Sequence, residues 1–194
     1  MQELKTITRE TCRLCGAGGL VPLFSIGNLY VNNFIKKEEL AKAIKAPLDM
    51  VLCEKCSLLQ LKHTAPQELL YARFYWYRSG VTETMRNALK EVASTVTNIA
   101  HLKAGDIVLD IGANDGTLLK NFSNGIITVG CEPADNLVAQ LKENCKYVIH
   151  DFWSKAAYNK LGLGKAKVIT ALGMFYDMED PNQFVRDAAL VLAD

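Results

Sequence analysis

Four of the six cysteines stand in two identical spacings, Cys12-Arg-Leu-Cys15 and Cys53-Glu-Lys-Cys56. Two intervening residues let both thiolates of a pair reach one metal ion, and a second pair completes a tetrahedral shell. The interval between the pairs exceeds the ~15–20 residues of a compact zinc ribbon, so residues 20–50 are expected to fold as an excursion. Zinc suits this donor set best. An Fe–S ligand set, disulfides and free thiols are the alternatives, and a redox dithiol has no use for a second pair. Four protein thiolates close the site, which makes it structural and not catalytic. Cys131 and Cys145 have no spacing partner and read as small buried apolar side chains.

A second constellation is acidic. In "VLDIGANDG" an apolar run ends at Asp110, and a loop with Gly112, Asn114, Asp115 and Gly116 follows. Roughly 20 residues on, the next apolar run ends in "CEP", at Glu132 and Pro133. An acid at that distance is what holds ribose hydroxyls in a nucleotide-binding α/β fold. Two cofactor classes compete for such a turn. A dinucleotide's pyrophosphate needs a glycine-rich helix start free of nearby acid. This loop is not G-x-G-x-x-G, and Asp110 and Asp115 would repel phosphate. The same charges suit a ligand carrying an ammonium and a sulfonium, which points to S-adenosylmethionine ahead of NAD.

The elements that must position these groups follow from periodicity. Residues 1–62 are irregular, with turn signals at "GAGG" and "IGN", and read as a small zinc-binding domain. Residues 63–103 read as a helical connecting segment. Within it, Pro66 marks one helix start, and Met85, Leu89, Val92, Val96 and Ile99 recur by threes and fours after the break at "YRSG". From residue 104 to 194, four β-branched runs alternate with helical stretches. The runs are "DIVLDIG", "GIITVGCEP", "KYVIHDF" and "AKVITALGMF"; the stretches are "DGTLLKNF", "DNLVAQLKENC", "SKAAYNKL" and "DPNQFVRDAALVL". Alternation of this kind predicts a Rossmann-like α/β fold, a doubly wound parallel sheet of about four strands. An α+β domain with antiparallel pairs is the alternative. Asp180 and Pro181 form a cap and first-turn pair for the last helix.

Composition narrows the partners. Of 194 residues, 49% are hydrophobic and 22% charged, enough to build a core, and the net charge is +1. Bulk electrostatics therefore give no reason to expect a nucleic acid polymer or an anionic membrane. No apolar run approaches the ~18 residues of a membrane span, and "MQELKTITRE" lacks a signal-peptide centre, so a cytoplasmic protein is expected.

"VLDIGANDGTLL" followed by "GCEPA" resembles the first two cofactor motifs of class I S-adenosylmethionine-dependent methyltransferases. The resemblance implies that Asp110, Gly112 and Gly116, with Asn114 and Asp115 between them, line the methionine part. It puts Glu132, followed by Pro133, on the ribose. "HDFW" resembles the acidic-aromatic pair that meets adenine, with Asp151 accepting from the exocyclic amine and Phe152 packing nearby. Read from the residues alone, Asp151 could equally cap the next helix and Phe152 fill the core.

The ordered string "CRLCG…CEKCSLLQL…YWYRSGVTETMR…DIGANDGTLL" resembles, over essentially the whole chain, the C-methyltransferases of nucleotide-linked deoxyketosugars. That resemblance implies a nucleotide-sugar substrate and a zinc module that helps enclose it. It also implies a pocket closed by Tyr77, Arg78, Ser79 and Gly80, with Tyr77 as the hydroxyl contact and Ser79 and Gly80 beside the cofactor. The residues alone allow Tyr75, Trp76 and Tyr77 to be domain-packing aromatics. The implied reaction removes a proton beside a ketone, so that the enolate attacks the methyl in line, with a base and oxyanion donors at hand. His63, His101 and His150 all sit at element boundaries and read as surface or capping residues.

The family's base is a histidine of a downstream Glu-His motif, and the run "ALGMFYDMEDP" carries Gly173 and Asp177 near the places where it often shows Asn and His. These departures, and a count of four strands against seven, lead to the expectation of an amino-terminal portion of a longer enzyme. On that expectation a further segment, or an oligomer, covers the fourth strand. A methyltransferase directed to oxygen or nitrogen, and a non-catalytic interaction module, are the competing readings.

Overall fold

In the computed structural model, which describes residues 6–31 and 36–193, the chain divides into two compact units. The first comprises Met1–Phe74 with Glu179–Pro181, the second Tyr75–Met178 with Asn182–Asp194.

The first unit is β-rich. Strand β1 (Ile7–Thr8) pairs antiparallel with β5 (His63–Thr64). Strands β2 (Leu20–Tyr30), β3 (Lys45–Cys53) and β4 (Leu59–Leu61) form an antiparallel sheet in that order. The excursion expected between the cysteine pairs is the β2–β3 hairpin, whose register pairs Leu20 with Cys53. Strand β4 is patterned inside out. Gln60 is buried while Leu59 and Leu61 are exposed. Glu179 belongs to this unit as well, and its carboxylate accepts hydrogen bonds from Arg9 and from Thr64 Oγ1.

In the second unit the 17-residue helix α1 (Glu83–Ile99) starts where Thr82 Oγ1 accepts from Met85 N at 3.3 Å, an N-cap that satisfies one orphan donor. Its stripe runs through Met85, Leu89, Val92, Ala93 and Val96 and continues after the helix at Leu102. Ile99, expected on that stripe, is 76% exposed. Ile99 is the last residue of the helix, and the apolar contact passes instead to Leu102 beyond its end. Four parallel strands follow, β6 (Ile107–Ile111), β7 (Ile127–Cys131), β8 (Tyr147–Ile149) and β9 (Val168–Thr170). They lie in the order β8-β7-β6-β9. Every expected strand is present, and the sheet is parallel throughout.

Helices α2 (Val138–Asn144), α3 (Lys155–Asn159) and α4 (Pro181–Val191) complete the alternation. Alternating residues of β6 serve two cores. Ile107, Leu109 and Ile111 pack with Tyr158 and Val191 on one face, and Val108 packs with Leu89, Leu119 and Leu141 on the other. Helices therefore cover both faces, the doubly wound arrangement. After α4 the chain returns parallel to β9, with Ala166 bridging Leu192.

Two predicted helices form no α-helix in the fold. "PQELLYARF" yields a single π-helical turn, Glu68–Ala72, closed by Arg73 N donating to Glu68 O at 3.2 Å. "DGTLLKNF" yields only the 3₁₀ turn Leu119–Asn121. There Asn121 Nδ2 donates to Thr117 O at 2.7 Å. A side chain that satisfies a backbone carbonyl competes with helix propagation. No helix among the described residues is long and apolar enough to cross a membrane.

Candidate functional site

The two cysteine turns of the first unit are built alike. Gly16 N donates to Cys12 O and Ser57 N to Cys53 O, both at 2.9 Å. Cys12 N donates to Ala17 O at 2.8 Å and Cys53 N to Leu58 O at 3.0 Å. Gly16 and Ser57, each one residue past the second cysteine of its pair, take φ of 71° and 60°. The left-handed conformation turns each chain back so that both thiols of a pair face inward. All four Sγ atoms lie within 4.8 Å of one another, and the Cys12–Cys56 and Cys15–Cys53 sulfurs are 3.6 Å apart. A tetrahedral zinc with ~2.3 Å bonds sets its sulfurs about 3.8 Å apart, so the donor set fits that ion.

The thiols are not equivalent. Burial pushes Cys12 upward, but hydrogen bonds from the Cys15 and Leu14 backbone, then from Gln60 and Cys56, outweigh it and bring Cys12 to about 6. For Cys56 the backbone donor of Leu58 pulls downward, and burial with the neighbouring Cys15, Cys12 and Cys53 thiols overcomes it, to about 12. A divalent cation offsets this accumulation of like charge. Gln60, which sequence reasoning did not single out, donates from Nε2 to Cys12 Sγ at 3.2 Å and accepts from Arg13 N at 3.1 Å.

In the second unit the acids stand at the carboxyl ends of adjacent strands. Asp110 is the penultimate residue of β6 and Glu132 immediately follows β7; both are buried. The loop between β6 and the following turn is pinned beneath them, Gly112 N and Ala113 N both donating to Cys131 O at 2.9 and 3.0 Å. Gly112 has φ of 73°, a conformation that only glycine adopts freely. Glu132 accepts one backbone N–H on each oxygen, Asn114 N on Oε2 and Ala134 N on Oε1, both at 2.9 Å. Burial raises its pKa, opposed by those two donors and by the nearby His150. Asp110 is raised to about 7, by burial first and by Glu132's charge, against the hydrogen bond from Thr170. Thr170 also escaped sequence reasoning; it lies inside the fourth apolar run, and only the β6–β9 register, which sets it opposite Asp110, reveals it.

Asp115 is occupied within its own loop. Oδ1 accepts from Thr117 N at 3.1 Å and from Thr117 Oγ1 at 2.6 Å, and Oδ2 from Gly80 N at 2.8 Å. Asn114, at φ of 54°, accepts from Ser79 N at 2.9 Å and donates to Tyr77 O at 3.0 Å. Ser79, Gly80 and Tyr77 are thus brought onto the β6 loop, with the Tyr77 side chain 49% exposed. Asp151 is exposed just past β8, where Oδ1 accepts from Phe152 N at 2.8 Å. Ser154, and not Asp151, caps α3, accepting from Ala157 N at 3.1 Å. Phe152 and Pro133 are half-buried. His150 pairs with Asp135 at 3.0 Å, and His63 lies 3.3 Å from Asp49 in the first unit.

Residues 12–71 match a family model described as "Putative zinc binding domain". The matched segment contains all four clustered cysteines, and zinc is the metal this tetrathiolate takes. Over 131 residues, 66% of this chain, the sequence is 30% identical to the C-methyltransferase NovU of Streptomyces niveus. The match takes in 31% of that protein, so the chain spans about a third of the curated relative. Among solved structures, the plantazolicin methyltransferase BamL, in complex with a triazolic desmethylPZN analog and SAH, is similar at 16% identity and a TM-score of 0.46. That likeness covers 58% of this chain and 44% of that one. A SAM-dependent methyltransferase from Geobacter sulfurreducens, in complex with S-adenosyl-L-homocysteine, is similar at 18% identity and a TM-score of 0.39. Here 62% of this chain and 48% of that one are covered.

Proposed function

We propose that the chain binds S-adenosylmethionine at the carboxyl ends of β6 and β7 and serves methyl transfer to carbon in a nucleotide-linked deoxyketosugar. The observation that carries the cofactor reading is the pair of buried acids, Asp110 and Glu132, ending adjacent parallel strands around a loop without the dinucleotide glycine pattern. In a doubly wound sheet, ligands enter the crevice beyond these strand ends. Glu132 spends one acceptor direction per oxygen on backbone N–H groups, and a carboxylate oxygen has a second for a ribose hydroxyl. A buried carboxyl such as Asp110 gains most from a cation, here the ammonium of the methionine part. The cofactor, when bound, supplies a methyl group on a positively charged sulfur.

The chain's own residues bind, orient and exclude water. Asp151 and Phe152, past β8, are assigned to the adenine side. Ser79 and Gly80 close over the loop through Asn114 and Asp115, and Tyr77 offers its exposed phenol to the acceptor or the cofactor. His150 is engaged by Asp135 at 3.0 Å and acts electrostatically on Glu132, which supports reading it beside the ribose and not as the base. The zinc cluster keeps the first unit folded and takes no part in the chemistry. The nucleotide-sugar acceptor and a cytoplasmic site of action rest on the sequence resemblance, and the 30% identity to a C-methyltransferase supports the carbon-directed reaction.

Titration calorimetry with S-adenosylhomocysteine and with NAD tests the cofactor. Heat is expected from the first alone, and the Glu132→Ala variant should lose it. Tighter binding of NAD, or undiminished binding by Glu132→Ala, overturns the reading. Transfer of a labelled methyl group to a nucleotide-linked 4-ketosugar tests the acceptor. Cofactor binding without transfer assigns the chain a cofactor-holding role only.

A further inference from the structure

Residues 74–78 have no regular secondary structure, yet the strap from Tyr75 to Gly80 is not left to solvent. Tyr75 N donates to Asn136 Oδ1 at 2.9 Å, and Asn136 Nδ2 donates back to Tyr75 O at 3.0 Å. Two residues on, Asn114 Nδ2 donates to Tyr77 O at 3.0 Å; two further, Ser79 N donates to Asn114 Oδ1 at 2.9 Å. In an extended chain, alternate residues turn their N–H and C=O to the same edge. Tyr75, Tyr77 and Ser79 are such a set. A side-chain carboxamide carries a carbonyl acceptor and N–H donors like those of a peptide group. Two asparagines therefore take the place of a neighbouring strand along one edge of the strap.

Both asparagines hang from one carboxylate. Glu132 Oε2 holds the backbone N–H of Asn114, and Oε1 holds that of Ala134. Ala134 O in turn accepts from Leu137 N at 3.1 Å, closing the turn that carries Asn136. At the far end of the strap, Asp115 Oδ2 accepts from Gly80 N, and Arg86 Nη1 donates to Gly80 O at 2.8 Å.

We infer that Asn136, with Asn114, is a positioning residue: the two carboxamides dock the Tyr75–Gly80 strap onto the crevice, and through Glu132 they make its order respond to a ligand bound there. Docking at Tyr75 and at Ser79 fixes the backbone on either side of Tyr77, so the phenol is presented from a held segment. The docking follows from hydrogen bonds within the second unit alone. The response to a ligand rests on the S-adenosylmethionine reading above, because it needs an occupant of Glu132.

Hydrogen exchange read by mass spectrometry on the whole chain separates the two parts. Without ligand, the Tyr75 amide is expected to be protected, and Asn136→Ala to speed its exchange roughly five- to tenfold while the amides of β6 and β7 keep their rates. Asn136→Asp keeps the acceptor and loses the donor, so it should retain most of the protection at Tyr75. S-adenosylhomocysteine should slow exchange further at Tyr75, Ser79 and Gly80 in the unaltered protein. In Asn136→Ala that increment should vanish at Tyr75 and persist at Ser79 and Gly80, a pattern that general loosening of the fold does not give. Unprotected Tyr75 and Ser79 amides in the unaltered protein, or unchanged rates in Asn136→Ala, overturn the docking. Binding heat without any change in strap exchange overturns the response. If calorimetry shows no binding while Asn136→Ala still frees Tyr75, the cofactor reading falls and the docking stands.

Discussion

Thr170 Oγ1 donates a 2.7 Å hydrogen bond to Asp110 Oδ1. The two residues stand opposite each other in the β6–β9 ladder, where the strand order reverses. The bond partly relieves the burial that carries the Asp110 carboxyl from 3.8 to about 7. The folded protein therefore binds a proton that the unfolded chain has released over that interval. Where the native state holds more protons, stability falls as pH rises. Stability from this group is full below about pH 4, declines through the interval and levels off above about pH 7. At ~1.36 kcal/mol per pKa unit the whole change is at most about 4 kcal/mol. Glu132 is raised too and adds in the same direction. Urea midpoints should thus be higher at pH 5 than at pH 8. Asp110→Asn should flatten most of that slope and gain stability at pH 8 while losing S-adenosylhomocysteine. A midpoint that climbs from pH 5 to pH 8 in the unaltered protein, and still does so in Asp110→Asn, contradicts the assignment.

Gln60 donates to a cluster sulfur from outside the four cysteines. Hydrogen bonds from outer groups orient ligands and tune their basicity, and losing one typically costs about 10–100-fold in metal affinity. Gln60→Leu fits the buried volume but removes the donor to Cys12 and the acceptor for Arg13 N. Zinc should then pass to a competing chelator at a concentration roughly tenfold lower or less. Stoichiometry at saturating metal should stay at one ion per chain. An unchanged chelator titration would remove Gln60 from the metal's surroundings.

Ser57 repeats the place of Gly16 but carries a Cβ at φ of 60°. A left-handed backbone costs an L-residue roughly 1–2 kcal/mol relative to glycine, offset in part by glycine's greater freedom when unfolded. Ser57 is exposed, so its side chain contributes little packing. Ser57→Gly should raise the stability of the metal-loaded first unit by about 0.5–1 kcal/mol, read as a higher denaturant midpoint with unaltered zinc content. A lower midpoint would show that the serine side chain holds the turn.

The sequence disclosed what depends on short-range spacing. Cys-x-x-Cys turns place their thiols by local geometry, so the cluster was readable from four letters and their separation. Asp110 and Glu132 were readable because each follows an apolar run whose periodicity marks a strand end. Asn136, Thr170 and Gln60 were not, since each matters through a partner that is distant along the chain. Asn136 bonds Tyr75, Thr170 bonds Asp110 and Gln60 bonds Cys12. Strand β4 misleads outright, because it faces a cluster of thiols with Gln60 and leaves its leucines outward. The 3₁₀ turn in place of a helix after β6 has the same origin: Asn121 satisfies a carbonyl that periodicity assigns to the backbone.

Gly80 has no room for a side chain. A Cβ there would stand 2.7 Å from Thr117 Oγ1 and 2.9 Å from Asp115 Oδ2. Neither neighbour can yield cheaply, because both are buried and the threonine hydroxyl is bonded to the same carboxylate at 2.6 Å. The strap must therefore lift in Gly80→Ala, breaking the bond from Gly80 N to Asp115. Overpacking of this kind typically costs about 1–3 kcal/mol. Part of it will appear as a lower melting temperature, and the rest as weaker closure over the crevice. S-adenosylhomocysteine affinity should drop about tenfold, an amount equal to roughly 1.4 kcal/mol. Gly18→Ala, where nothing lies within 4 Å of the added carbon, is the control and should bind as the unaltered protein does. If Gly80→Ala also binds unchanged, the strap does not close over the ligand, and Ser79 and Gly80 lose their place beside the cofactor.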